Sequence, residues 1–269
     1  LFPYTTLFRS SKPEVFKEEI TLVEEEKNLR HNVKVHSITS SYEEAVKNAD
    51  YVLITYPSFM IEETLKKIIP YLKEGTVVGV IPGFGGKEYL IDELLEKGCI
   101  FFGSQRVPSI IRLEKYGECV LLKQKNEFMK LRVIPSKYSD KVCEVMTSFI
   151  DIPCLPLSNY LAITLSPSNP TMHPSRLYEL FNDYVEGEKV YPRNPYFYEE
   201  WGTLASQTLL DLDDELTEIF NSLNDNNEFY EEDMEKIKKR YGISTAKELS
   251  EKINTAPGFQ GIDSPMVKI

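Results

Sequence analysis

The sequence predicts an α/β domain built on a parallel sheet, followed by an all-α domain. Strand and helix patterns alternate through the first half of the chain, which is typical of a parallel sheet with right-handed crossovers. Strand patterns disappear after about residue 165. A long run of apolar residues at helical spacing follows, and this indicates packed helices.

Continuous apolar runs in the first half predict strands that are buried on both faces. Between these runs, apolar residues at helical spacing predict helices, and Gly75 and Gly98 are the signals that end two of them. Ser41 is expected to cap the first helix, with Glu44 at the capping-box position. The expected strands are 33–36, 50–55, 76–81 and 99–102, with a hairpin formed by 119–122 and 131–134. The expected helices are 42–47, 58–72, 87–97 and 140–150.

The second half is predicted to be helical throughout. Six apolar residues follow one another at steps of four or three, which is the spacing of one helical face. They are Trp201, Ala205, Leu209, Leu212, Leu216 and Phe220. Two further helices are expected over 234–241 and 245–253.

The expected domains are 11–165 and 166–269, both truncated. Residues 1–10, LFPYTTLFRS, lack a helical or strand period and resemble a translated sequencing adaptor. We therefore expect them to be foreign and exclude them from the fold prediction. The remainder is expected to be a fragment of a longer enzyme, and this fragment is expected to bind cofactor and turn over poorly.

Charge and composition narrow the class of partner. The 269 residues carry a net charge of −11, which argues against binding to nucleic acid or to anionic membranes. Residues 211–235 alone hold eleven acidic residues and no Lys or Arg, so the rest of the chain is about neutral. The acidity therefore belongs to one segment and says little about the ligand.

The four cysteines indicate a reducing compartment. They are widely spaced and form no CxxC motif, so neither a zinc site nor a redox pair is predicted, and no bound metal is expected. Scattered single cysteines are typical of cytoplasmic proteins. The chain has no apolar run near 18 residues, so no membrane span is predicted.

Two loops at the carboxyl ends of predicted strands are candidate cofactor contacts, because ligands of doubly wound sheets bind there. The alternative is that they are ordinary tight turns. The sequence has no GxGxxG motif, since Glu88 stands where the third glycine would be. The residues predicted to contact the cofactor are Tyr56, Pro57, Pro82, Gly83 and Gly85.

The densest cluster of reactive residue types surrounds His173, at the predicted domain junction. Pro174 is acceptable at the first position of a helix, which would place His173 at the helix N-terminus. The helix dipole would then disfavour the imidazolium form and leave a neutral general acid/base. Asn169 could donate to a substrate carbonyl, and Arg176 could pair with a carboxylate. The alternative is that His173 only caps a helix and Arg176 is solvated.

The other polar and aromatic clusters receive structural interpretations. His31 is expected in a polar turn and His36 at a strand end. The aromatic group Tyr196, Phe197, Tyr198 and Trp201 is predicted to be core. Four acids are predicted to share one helix face, which could bind a cation but is more often solvated; they are Asp211, Asp214, Glu215 and Glu218.

Three segments together resemble the opine dehydrogenase family. They are residues 49–57, residues 82–86 and the run SPSNPTMHP at 166–174. More narrowly, residues 166–181, 197–201 and 211–215 are similar to those of the opine metallophore dehydrogenases of the staphylopine type. The resemblance extends from about residue 45 to residue 266.

The resemblance implies a Rossmann-like domain, a helical domain and the cofactor NADP or NAD. It implies reduction of the imine formed between a 2-keto acid, pyruvate or 2-oxoglutarate, and the amine of an amino acid or a derivative. His173 would transfer the proton and Asn169 would hold the keto acid. Residues 104–108 correspond to a segment that lines the substrate cleft, which makes Gln105 and Arg106 candidate substrate contacts. A homodimer is expected.

Two departures from the family pattern limit these implications. The N-terminal phosphate-binding loop is absent from the chain, and so is a later segment whose Asp orients the histidine. Two other functions therefore remain open. One is a ketopantoate or 3-hydroxyacid reductase, for which no catalytic lysine is evident. The other is a non-catalytic binding module.

Overall fold

The computed structural model describes residues 7–25, 27–186, 188, 191–223 and 233–266. The chain forms two compact units, Leu1–Thr164 and Leu165–Ile269. In the first unit the strands are β1 Leu7–Arg9, β2 Glu19–Glu24, β3 Leu29–Lys34, β4 Ser37–Thr39, β5 Tyr51–Ile54, β6 Val77–Val80, β7 Ile100–Ser104, β8 Ser109–Lys115, β9 Cys119–Lys125, β10 Met129–Ile134 and β11 Cys154–Pro156. Its helices are α1 Tyr42–Val46, α2 Ser58–Ile68, α3 Asp92–Glu96, α4 Ser139–Ile150 and α5 Leu161–Thr164.

The central sheet has the order β11-β10-β7-β6-β5. Strands β5, β6 and β7 are mutually parallel, β10 is antiparallel to β7, and β11 is parallel to β10. The sheet is covered on both faces. Val78 and Val80 pack in a cluster with the apolar face of α2, while Val77 packs in a second cluster with α4. The predicted α/β class is confirmed. The apolar runs of β6 and β7 are continuous because both faces of these strands are buried, whereas the edge strand β5 leaves Leu53 exposed.

Local signals placed several elements correctly. Ser41 is the N-cap of α1, where its side chain accepts from the backbone N–H of Glu44. The Glu44 carboxylate does not close a capping box, because it accepts from the hydroxyl of Thr39. The helix expected over 87–97 is divided into a 3₁₀ turn, Lys87–Leu90, and α3.

The predicted hairpin of 119–122 and 131–134 is wrong. Strand β9 belongs to a separate four-stranded sheet of order β3-β2-β9-β8, whereas β10 pairs with β7 in the central sheet. Strands β2 and β8 were not predicted at all. Strand β2 pairs with its neighbour β3 as well as with the distant β9, and β8 pairs with its neighbour β9. Nearly all residues of β2 and β8 are partly buried or exposed, so no regular burial pattern marks them.

Part of the segment 1–10, which was excluded from the fold prediction as foreign, has regular structure. Strand β1, Leu7–Arg9, pairs in parallel with β4, Ser37–Thr39. The Arg9 guanidinium also lies over the ring of Tyr42, 4.1 Å from its centroid. Residues 1–6 lie outside the described residues.

The second unit is helical, as predicted. It contains α6 Asn169–Phe181, α7 Thr203–Leu223, α8 Ile237–Tyr241 and α9 Ala246–Thr255. Trp201 precedes α7 and is 1% exposed, and Ala205, Leu209 and Phe220 continue the buried stripe along the helix. Thr245 caps α9 in a complete capping box with Glu248. All four cysteines of the chain are free. Among the described helices, none has the length and apolarity needed to cross a membrane.

Candidate active site

His173 lies inside α6 and not at its N-terminus. The helix begins at Asn169, so His173 is in the second turn, and Pro174 is an internal proline. Pro170 takes the early helical position that Pro174 was expected to occupy. The helix dipole was expected to disfavour the imidazolium form of His173. His173 is too far from the helix N-terminus for this, because the dipole acts mainly within the first turn.

The His173 side chain is half-buried, and burial alone lowers its pKa below the ordinary value. The predicted direction of the pKa shift agrees, but the physical cause is desolvation of the imidazolium form. Ring atom Nε2 lies 2.9 Å from the hydroxyl of Tyr198. The ring of Phe197 meets the imidazole edge-on, with 5.4 Å between centroids. A neutral imidazole at pH 7 can accept a proton, as a general base must.

Asn169 is on the same side of α6 as His173, because residues four apart lie above one another on a helix. It is exposed at the first helical position. An exposed amide one turn from a neutral imidazole is consistent with the predicted contact to a keto acid. That role stays a prediction.

Arg176 contradicts its predicted role. It is 3% exposed and donates to three acceptors of its own unit, the Glu179 carboxylate at 2.6 Å and two backbone oxygens. Those oxygens belong to Phe197, at 2.9 Å, and Tyr196, at 3.2 Å. The carboxylate that Arg176 was expected to find in a substrate is therefore supplied by Glu179. Both the substrate-binding and the solvated interpretations fail, because Arg176 fixes the segment that carries Tyr198.

The aromatic group near Trp201 is core, apart from its first member. Phe197 and Tyr198 are buried, whereas Tyr196 is 41% exposed. The indole N–H of Trp201 donates to Ser206 at 2.9 Å, and Ser206 lies 2.9 Å from Ser250. Sequence reasoning did not select Tyr198 as a site residue. It is separated from His173 by 25 residues, so no local pattern connects the two.

Two of the predicted cofactor contacts are used within the first unit. The Tyr56 hydroxyl lies 3.2 Å from Arg9 Nη1 and 3.3 Å from the Arg9 carbonyl. Gly83 is buried, and a Cβ there would lie 2.9 Å from the Ser104 carbonyl and 3.0 Å from the Tyr160 hydroxyl. Gly83 is therefore needed for close packing of the chain itself, and its contact with the cofactor stays a prediction.

The remaining predicted contacts in this loop region are more open. Pro57 and Gly85 are exposed, and Pro82 is half-buried. They follow β5 and β6, whose carboxyl ends are adjacent in the sheet. These three residues stay predicted cofactor contacts.

The two predicted substrate contacts after β7 differ in accessibility. Gln105 is 4% exposed and donates to the carbonyl of Ala162 at 3.0 Å, which attaches the end of β7 to α5. Arg106 is half-buried. The structure favours a packing role for Gln105 and leaves Arg106 as the more accessible candidate.

Two buried polar atoms near these strand ends, Ser104 Oγ and Glu88 Oε2, have no hydrogen-bond partner among the described residues. Burial also raises the pKa of the Glu88 carboxyl, because it penalises the charged form. The hydroxyl of Tyr160 donates to the Gly83 carbonyl at 2.7 Å. The turn after β6 is thus held by buried polar groups of the first unit.

The acids on α7 form an exposed face. Asp211, Asp214, Glu215 and Glu218 are all exposed, as expected for a solvated surface. Asp213 differs, because it is half-buried and accepts from the backbone N–H of Ile237 at the start of α8. Within the described residues, no group of three or more His, Cys, Asp or Glu side chains could hold a metal ion.

The helical unit matches a family of known proteins. Residues 156–268 match the family model for the alpha-helical domain of NAD/NADP octopine/nopaline dehydrogenase. The chain is 24% identical over 247 residues to tauropine dehydrogenase of Arabella iricolor, which covers 86% of this chain and 61% of that protein. It is 26% identical over 190 residues to opine dehydrogenase of Haliotis discus hannai, covering 68% of this chain and 46% of that protein.

Solved structures agree in fold. Octopine dehydrogenase in complex with NADH and agmatine has a TM-score of 0.77 at 19% identity, covering 96% of this chain and 67% of that one. The same enzyme with NADH and L-arginine, or with NADH and pyruvate, gives TM-scores of 0.76 and 0.77. The chain spans 40% to 61% of the length of the curated relatives that it matches.

These findings define a Rossmann-like α/β unit followed by a helical domain of the octopine/nopaline dehydrogenase class. The chain is therefore similar to opine dehydrogenases, through the match of its helical unit and through its fold, and the resemblance found in the sequence is supported to that extent.

Proposed function

We propose that the protein containing this chain is an opine dehydrogenase that uses NAD(P)H. It condenses a 2-keto acid with the amine of an amino acid, releases water, and reduces the imine to a secondary amine. The observation that carries the proposal is His173, a half-buried neutral imidazole in the helical unit that matches the family model. Its placement beside the exposed Asn169 supplies a proton acceptor and an amide on one helix face.

The first unit fits part of a dinucleotide. Strands β5, β6 and β7 are parallel with adjacent carboxyl ends, where such cofactors bind, and the loops there expose Pro57 and Gly85. These residues, with Pro82, would contact the cofactor. The chain has no GxGxxG loop, so its own residues do not account for the pyrophosphate. When bound, the cofactor supplies the hydride that reduces the imine carbon.

His173 performs the proton transfers in this scheme. An amino acid reaches the site as an ammonium ion, and neutral His173 removes one proton so that the nitrogen can attack the keto carbon. The imidazolium that results is disfavoured by burial, so it returns the proton readily to the departing hydroxyl, which leaves as water. Asn169 would donate to the keto acid, and Arg106 is the more accessible of the two candidate contacts after β7.

The product class is a narrower proposal. We propose an opine that chelates metal, made from pyruvate or 2-oxoglutarate and an amino-acid-derived amine. It is supported by the likeness of residues 166–181, 197–201 and 211–215 to the staphylopine-type enzymes. Metal belongs to the product in this proposal, and the four free cysteines support a cytoplasmic enzyme, which we expect to be a homodimer with small-molecule partners only.

The test uses the protein expressed with its natural flanking sequence. NADH or NADPH is supplied with pyruvate or 2-oxoglutarate, with and without candidate amines, and oxidation of the cofactor is followed by absorbance. Amine-dependent oxidation and a secondary amine detected by mass spectrometry are expected. Oxidation without amine would instead identify a reductase of keto acids. If the cofactor binds but is not oxidised with any combination of keto acid and amine, the protein is a binding module.

A chelation assay tests the narrower proposal separately. The purified product is titrated with nickel, copper and zinc ions and analysed by mass spectrometry. Metal adducts at equimolar concentration are expected. A product that binds none of these ions would remove the metallophore assignment and leave the opine dehydrogenase proposal intact.

A further inference from the structure

We propose that strand β3, Leu29–Lys34, is the contact between two copies of this chain, which pair their β3 strands antiparallel across a two-fold axis at His31. The two four-stranded sheets then form one continuous sheet of eight strands. The proposal concerns the first unit alone and does not depend on the chemistry assigned to His173. It gives the expected homodimer a specific surface.

Strand β3 has an open backbone edge. It is the outer strand of a sheet with the order β3-β2-β9-β8. The backbone N–H of Val35 donates to the Glu18 carbonyl at 2.7 Å, on the side of β2. Since successive residues point their backbone groups to alternate sides, residues 31 and 33 also face β2, whereas residues 30, 32 and 34 face away from it. Among the described residues, no strand pairs with that outer side.

The two edges of this sheet differ in how well they are protected against another strand. Outer strand β8 has register shifts against β9 at two places, and such bulges disrupt the regular edge that a further strand needs. Strand β3 pairs with β2 over six successive residues without a shift, and it contains no proline. The β3 edge is therefore the one suited to accept another strand.

The apolar residues of β3 indicate that its edge is covered. All six residues of the strand are exposed, and they include Leu29 at 47% and Val33 at 38%. Val33 lies opposite Ile20 of β2, and alternation along the strands places Leu22 and Leu29 on the same face. An apolar face that reaches a regular, open edge is typical of a surface that associates with another chain.

The side chains of β3 select one register. Around a two-fold axis, directly opposite residues of an antiparallel pair lie on the same face of the sheet. With His31 opposite the partner's His31, Leu29 lies opposite the partner's Val33, and Arg30 opposite the partner's Asn32. Apolar residues then meet apolar residues, and no two cations are opposite each other. The two neighbouring registers place Arg30 opposite Lys34 or opposite itself, and like charges directly opposite are destabilising.

The charges around β3 favour a second copy of the same chain. At the proposed axis, His31 Nε2 lies 2.9 Å from the Glu24 carboxylate, so each imidazole has a carboxylate of its own copy beside it. Residues 17–34 and 109–125, which contain the four strands, hold eight Lys or Arg and seven Asp or Glu. This sheet is thus almost neutral in a chain of net charge −11, and two copies can approach there without strong repulsion.

The first test measures the mass of the protein with its natural flanking sequence by light scattering over a range of concentrations. A concentration-dependent dimer is expected. Val33→Lys places a charged side chain against the partner's Leu29 and should raise the dissociation constant at least about tenfold, because the two-fold axis applies each substitution twice. Leu113→Lys is the matched control, since Leu113 is 60% exposed on the same face but belongs to β8; this variant should dimerise normally.

Cysteine cross-linking tests the register. The two residues at position 31 would form a pair without backbone hydrogen bonds, with Cα atoms about 4.5 Å apart, which a disulfide can span. His31→Cys should therefore give a disulfide-linked dimer on mild oxidation. The two residues at position 32 would be diagonal neighbours about 7–8 Å apart, so Asn32→Cys should not. The unmodified chain, oxidised in parallel, controls for the four native cysteines.

Three results would each overturn the proposal. They are a protein that stays monomeric at every concentration, a dimer that Val33→Lys leaves intact, and stronger cross-linking of Asn32→Cys than of His31→Cys. Circular dichroism checks that each variant is folded, and the cross-linking result decides if Val33→Lys is not. Amine-dependent oxidation of NAD(P)H is measured separately, so failure of the proposed function would not alter any of these readouts.

Discussion

Replacing Arg176 by alanine should destabilise the helical unit severely, because the structure makes this arginine a structural cation. The side chain is 4% exposed and its ion pair with Glu179 is 2.6 Å long. It also donates to the carbonyls of Phe197 and Tyr196. Removal leaves a largely buried carboxylate and two backbone acceptors without their cation.

The magnitude follows from these partners. Breaking a buried ion pair by removing one member costs about 3–5 kcal/mol. The Glu179 carboxylate keeps two backbone donors, the N–H groups of Gly202 at 2.8 Å and Ala205 at 3.3 Å. These donors offset part of the loss, so we expect the lower end of the range, about 3 kcal/mol.

Urea unfolding followed by Trp201 fluorescence measures this loss within the helical unit. The matched control is Arg193→Ala, since Arg193 pairs with Glu200 at 2.8 Å but has a side chain that is 61% exposed. The control should lose less than about 1 kcal/mol. Equal losses in the two variants would refute the structural role of Arg176. An Arg176→Ala protein of normal stability that no longer binds a keto acid would restore the substrate-binding prediction.

Three further predictions concern particular contacts. Gly83→Ala should lower the free energy of unfolding by about 1–3 kcal/mol in urea titrations, because the new Cβ meets the Ser104 carbonyl at 2.9 Å; unchanged stability would contradict this close packing. Burial raises the pKa of Glu88, so the folded chain holds this proton to higher pH than the unfolded chain does. Its stabilising contribution is complete below the ordinary carboxyl range and is lost as pH rises through the raised pKa. Glu88→Gln should therefore flatten the fall in stability with rising pH, and identical pH curves for the two proteins would oppose the assignment. Thr245→Ala removes the capping box of α9 and should cost about 1 kcal/mol by thermal unfolding, whereas no loss would show that the cap contributes nothing.

The sequence predicted those parts of the fold that depend on local patterns. The parallel strands β5, β6 and β7 have continuous apolar runs, and α7 carries a regular apolar stripe. The four-stranded sheet was missed because its order depends on pairing between distant segments. Strands β2 and β3 form one hairpin and β8 and β9 another, but the two hairpins are joined by the pairing of β2 with β9, which no turn signal reveals.

In the candidate site, too, the sequence predicted what a local pattern marks and missed what depends on distant residues. His173 was found because histidine is rare in this chain and lies in a distinctive run of prolines and serines. Arg176 was misjudged because its acceptors are carbonyls about twenty residues away, which no local spacing reveals. Tyr198 was missed for the same reason, and the start of α6 was misplaced because two prolines, Pro170 and Pro174, compete for the same signal.

The central claim is that His173 transfers protons in amine-dependent reduction of a 2-keto acid. The most direct measurement compares NAD(P)H oxidation by the protein with its natural flanking sequence and by its His173→Gln variant, with pyruvate and a reactive amine. We predict a fall in kcat on the order of 10²–10⁴-fold with the fold preserved. A variant that oxidises the cofactor at the unmodified rate would contradict the claim.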